Sequence, residues 1–120
     1  MISPTGKGIR SDSEGDGHYG SSRGSRIHRG VDFLADSGQE IVAPFDMTIK
    51  RIAYPYRDMT MIGIEWIRGK SSGKMFYFDP IIGLIGSEVK QDQVIGFAQG
   101  VSEYHNLPNM KNHIHFQVDK

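Results

Sequence analysis

Apolar and polar residues alternate over short runs along most of this chain, and that period of two predicts strands. Val31 and Phe33 flank Asp32, Gln39 to Ala43 forms a second run, and Met47 to Tyr54 a third, set off by Pro44-Phe45-Asp46. In Met61 to Ile67 the residues Ile62, Ile64 and Trp66 fall on one face, with Glu65 opposite. Lys74 to Phe78 follows a Gly69-Lys70-Ser71-Ser72-Gly73 turn, and Val94 to Ala98 and His113 to Val118 complete the series. No segment keeps a helical period over about ten positions, and Gly100 to Asn112 reads as a long loop before the last strand. The expected fold is all-β, a compact antiparallel sheet domain in which cross-strand pairing brings segments distant in sequence side by side.

Residues 1–24 depart from this pattern. They are rich in Gly and Ser and read as a polar N-terminal arm, leaving 25–120 as the folded domain. His18, Tyr19, Arg23 and Arg26 all precede the His28 to Asp32 row, which would let this lead fold over a cleft. Asp12, Glu14 and Asp16 have the look of a calcium loop, but the glycine and distal glutamate of an EF-hand are absent. A chain of 120 residues that is 38% hydrophobic is one domain with a modest core. Its 14 Lys and Arg balance 14 Asp and Glu, so no overall field draws nucleic acid or an anionic membrane. Cysteine is absent, which removes disulfides, thiolate ligands and a cysteine nucleophile. The stretch from Met1 to Gly6 lacks the apolar run of a secretory signal, and the apolar stretch at Ile81 to Ile85 is too short to span a bilayer. Any export would use another route or a longer precursor.

The candidate chemistry lies in two short rows. In an extended strand His28, Gly30 and Asp32 share a face, as do His113 and His115. Gly30 leaves open space over the backbone where an ion could sit. Imidazole and carboxylate together suit a zinc-like cation, and three protein ligands with one open position is the pattern of catalytic zinc.

The order of these motifs resembles the lysostaphin/LytM-type zinc metallopeptidases, which cut peptide cross-links in bacterial peptidoglycan. The residues concerned are His28 to Asp32, the Ala43-Pro44-Phe45-Asp46-Met47 turn, Gln93-Val94-Ile95-Gly96 and His113 to Phe116. The resemblance implies the duplicated-hybrid-motif type of antiparallel domain, with His28, Asp32 and His115 as Zn2+ ligands and His113 as a catalytic residue. Zinc so held would polarise a peptide carbonyl and lower the pKa of bound water to about 7. His113 would then take the water proton or stabilise the oxyanion, worth about 10² to 10⁴ in rate.

The family's second catalytic histidine is missing. The matching stretch is Phe76-Tyr77-Phe78-Asp79-Pro80, which offers Asp79 or Tyr77 in its place, with His18 and His105 as further substitutes. Met47 replaces the family's usual glycine. The Lys74-Met75-Phe76-Tyr77 run with Pro80-Ile81 is similar instead to the leukocyte-derived chemotaxin branch of this fold, zinc-binding signalling proteins rather than peptidases. The favoured expectation is a zinc endopeptidase acting on peptidoglycan stem or cross-link peptides as a monomer at the cell envelope. The alternative is a catalytically weak or inactive zinc-stabilised module that uses its groove to bind a peptide, glycan or receptor. Tyr54 to Asp58 is a candidate wall of that groove.

Overall fold

The computed structural model describes residues 1–12, 15–16, 22–23, 26–27, 30–106 and 109–120. Every strand pairing among them is antiparallel, and the fold is a compact all-β domain. Two small ladders come first: β1 (Ser11–Asp12) with β2 (Gly15–Asp16), and β3 (Ser22–Arg23) with β4 (Arg26–Ile27). The main strands are β5 (Val31–Leu34), β6 (Glu40–Val42), β7 (Met47–Ala53), β8 (Gly63–Arg68), β9 (Ser71–Phe76), β10 (Phe78–Pro80), β11 (Glu88–Val89), β12 (Val94–Ala98) and β13 (His113–Val118). Six of them form one sheet in the order β11-β7-β8-β9-β13-β5, and β10-β12-β6 form a second.

The alternation read from the sequence decides which face of the large sheet is buried. Ile64, Met75 and Phe116 are cross-strand partners in β8, β9 and β13, and all three face the core. Trp66 lies over Gly73 to stack on Phe116, with ring centroids 5.5 Å apart and 4° between planes. A Cβ on Gly73 would approach Trp66 Cζ2 to 2.6 Å and the Gln117 carbonyl oxygen to 2.0 Å, so only glycine lets the indole cross that strand. Phe45, from the turn before β7, meets both rings edge-on. On the opposite face Glu65 pairs with Arg51 at 2.7 Å, as its place in the alternation predicts.

Three details differ from the sequence expectation. The turn after β8 is only Gly69-Lys70: Arg68 pairs with Ser71, and Gly69 takes φ +60° as the first central residue of a two-residue hairpin, so Ser71 to Gly73 belong to a strand. Lys74 to Phe78 is not one strand either, because Tyr77 at φ +76° breaks it and sends Phe78 into the second sheet. Within Gly100 to Asn112 lies one helical turn, α1 (Val101–His105), ended by Asn106 in the left-handed conformation. Five residues are too few to display a helical period, and Val101 alone is buried. Among the described residues no helix is long and apolar enough to cross a membrane.

Residues 1–10, grouped by composition with the polar arm, lie against the domain. The amide of Ile2 donates to Pro44 O and that of Val42 to Pro4 O, at 2.9 Å each. Residues 8–10 flank the edge of β5: Leu34 N donates to Gly8 O and Arg10 N to Asp32 O, both at 2.8 Å, around an Ile9–Phe33 bridge. That covers what would otherwise be an open sheet edge.

Candidate metal centre

Register builds the site. Asp32 of β5 stands directly across from His115 of β13, and His115 directly across from Phe76 of β9. The Ile9–Phe33 bridge places Arg10 opposite Asp32, so Arg10, Asp32, His115 and Phe76 form one row across four neighbouring segments. Directly opposed residues project from the same face of a sheet, which is why side chains 83 positions apart meet here.

His115 Nδ1 lies 2.9 Å from Asp32 Oδ1, and its Nε2 lies 2.9 Å from Gln117 Oε1. Gln117 Nε2 donates to Asp119 Oδ1 at 2.6 Å, which fixes the amide so that its oxygen faces the imidazole. His115 Nε2 must therefore carry the proton. In the neutral ring Nδ1 is then a lone pair aimed at a carboxylate oxygen, two acceptors face to face. A cation between them would relieve that arrangement. Two ligands on a tetrahedral zinc stand about 3.3 Å apart, so a small opening of the pair admits the ion. The hydrogen bond to the far nitrogen of a ligating histidine is the partner such a ligand ordinarily has. Asp32 and His115 are donors of the kind zinc takes, two of the three protein ligands such a site needs.

The space over Gly30 is not left open for an ion, as the sequence suggested: the Nε2 side of the His115 ring packs into it. A Cβ there would lie 2.4 Å from Phe116 O, 2.6 Å from His115 Cε1 and 2.8 Å from His115 Nε2. Gly30→Ala is expected to turn the imidazole out of line and destabilise the fold by about 1–3 kcal/mol, read by urea unfolding alongside zinc titration.

His113 is buried, its Nδ1 donating to Lys111 O at 2.8 Å and its Nε2 lying 3.6 Å from Asp32 Oδ2. Burial holds its pKa below the ordinary imidazole value, against the opposing pull of Asp32. The lowered pKa favours the neutral ring, which turns its Nε2 toward Asp32 Oδ2. Tyr77 stands edge-on to His113, with ring centroids 5.5 Å apart, and its hydroxyl is 2.8 Å from that of Tyr56. The Tyr56 hydroxyl reaches His105 Nε2 at 2.9 Å, and Tyr104 stacks on Tyr56 and donates to Asp58 Oδ2 at 2.6 Å. Burial also raises the Tyr56 pKa, so its hydroxyl stays protonated as a donor.

The structure thus brings Asp32, His113, His115 and Tyr77 together, with His105 joined through Tyr56. It does not bring in Asp79. That residue is exposed between buried Phe78 and Pro80 in β10, paired with Phe97 of β12, because the break at Tyr77 carries it into the other sheet. His28 and His18 lie outside the described residues, and among the described residues no group of three His, Asp or Glu is disposed to hold a metal ion. Arg10 and Gln117 escaped the sequence analysis. Gln117 shares the two-residue spacing of His113 and His115, a signal available in advance; Arg10 carries no local signal.

No protein-family model matches the chain. It is 30% identical over 108 residues to leukocyte cell-derived chemotaxin-2 of Bos taurus, covering 88% of this chain and 69% of that protein. It is 31% identical over 109 residues to the Mus musculus protein of the same name, with the same coverage.

Proposed function

The chain belongs to the leukocyte cell-derived chemotaxin-2 family, and from that premise we propose that it is a zinc-holding recognition module whose groove binds a peptide, glycan or receptor. The observation that carries this reading is the His115 pair of contacts, with Nε2 committed to Gln117 and Nδ1 turned on Asp32. His28, two residues before Gly30, is the proposed third ligand. The wall of Tyr56, Tyr77 and Tyr104 supplies aromatic faces and hydroxyls beside the metal position, a surface suited to stacking on a sugar or a side chain. The relatives' name describes a chemotaxin derived from leukocytes; the matching proposal for this chain is a monomer acting outside the cytoplasm, at a cell envelope or beyond it.

A second reading, the zinc endopeptidase acting on peptidoglycan peptides, is favoured by His113. A neutral, buried imidazole with its lone pair beside the metal position is equipped to take a proton from water, and Tyr77 offers a hydroxyl in place of the missing histidine. When bound, zinc would polarise the carbonyl and acidify the water.

Metal analysis and muropeptide release together decide between the two. The wild type is expected to take up one zinc per chain, His115→Ala to lose it, and neither to release muropeptides from cell walls. Release by the wild type that falls by about 10² to 10⁴ in His113→Ala would put the endopeptidase first. A wild type indifferent to zinc would remove both readings.

A further inference from the structure

We propose that Arg10 is a positioning residue for the metal ligand Asp32, holding the carboxylate with one oxygen turned toward the cation; this rests on the zinc reading above. The side chains of Arg10 and Asp32 are only 1% and 4% exposed, with Arg10 Nε 3.4 Å from Asp32 Oδ2. The carboxylate is thereby divided. Oδ1 faces His115 Nδ1 at 2.9 Å, while Oδ2 faces Arg10 and, at 3.6 Å, His113 Nε2.

The backbone makes this contact part of the fold. Arg10 N donates to Asp32 O, and the adjoining bridge sets the two residues opposite one another on the sheet edge. A guanidinium cannot lose its proton, so Oδ2 faces a fixed positive charge whether or not metal is present. Two effects of that charge oppose each other. It repels an incoming dication, and it prevents a buried carboxylate from rotating and carrying Oδ1 off the metal side. Because Arg10 faces the oxygen away from His115, orientation prevails over repulsion. Contacts of this kind behind a ligand typically govern metal affinity by about 10–100-fold. The N-terminal ten residues, which composition alone groups with a loose arm, would then be part of the metal centre.

The test is zinc affinity of the full chain, measured by competition with a chromogenic chelator. Arg10→Gln is expected to bind zinc about 10–100-fold more weakly than the wild type. Arg10→Lys, which keeps the charge but not the planar fork, should lose several-fold. Ile49→Val, a core change remote from the site, should leave affinity unchanged and so separates positioning from general loss of stability. If Arg10→Gln does not fold, Arg10→Lys decides by the same titration. Wild-type or tighter affinity in the folded arginine variants overturns the proposal while leaving the zinc reading intact. Absence of zinc binding by the wild type overturns both.

Discussion

Replacing Asp32 by alanine is expected to abolish zinc binding and to lower the stability of the metal-free protein by about 3–5 kcal/mol. The second effect is the less obvious one. Asp32 is 3% exposed and faces the Arg10 guanidinium and both histidines of β13, so its removal takes away the carboxylate opposite a buried, permanently charged group. A surface ion pair would contribute little; burial makes breaking this one costly. The measurement is urea unfolding in the presence of a chelator, so that metal does not contribute. A companion variant sharpens it: Arg10→Met combined with Asp32→Leu removes both charges and should recover much of the loss. Wild-type stability for Asp32→Ala would mean that the buried contact does not hold the site.

Trp66→Ala is expected to cost about 3–5 kcal/mol and to loosen the sheet without direct damage to the site. Trp66 is 1% exposed and joins β8 to β13 through its stack on Phe116, while Phe45 closes the cluster. Its indole N–H has no hydrogen-bond partner among the described residues, a fixed penalty that the apolar contacts outweigh. Trp66→Phe keeps most of the packing and removes that unsatisfied donor, so it should lose markedly less than Trp66→Ala. Equal losses in thermal unfolding of the two variants would overturn this account. Zinc affinity in folded Trp66→Phe should match the wild type, since the ring lies on the face of the sheet away from His115.

Much of this architecture was legible in the residues. The alternation in Met61 to Ile67 put Ile62, Ile64 and Trp66 on one face with Glu65 opposite; Ile64 and Trp66 are buried and Glu65 is turned away, while Ile62 precedes β8 and is only half-buried. The same period put His113 and His115 on one face of the last strand, and their pairing with Asp32 was expected from the order of the motifs. What no local pattern announced was the break at Tyr77. A tyrosine at φ +76° is unfavourable by itself and is held there by contacts from Ile62 and Gln99, so the uninterrupted apolar run misled. That single residue separated Tyr77 from Asp79, keeping one at the site and sending the other into the second sheet.

Residue order and period alone determined that this chain is built of strands, which faces those strands bury, and which side chains have the chemistry to hold a cation. Tertiary structure decided which of those side chains meet. Cross-strand register, a property of two segments and never of one, set Asp32 against His115; the packing of residues 8–10 on the edge of β5 brought Arg10 to the same carboxylate. Period-two alternation is local and survives in the sequence, whereas register and edge pairing depend on contacts between residues dozens of positions apart.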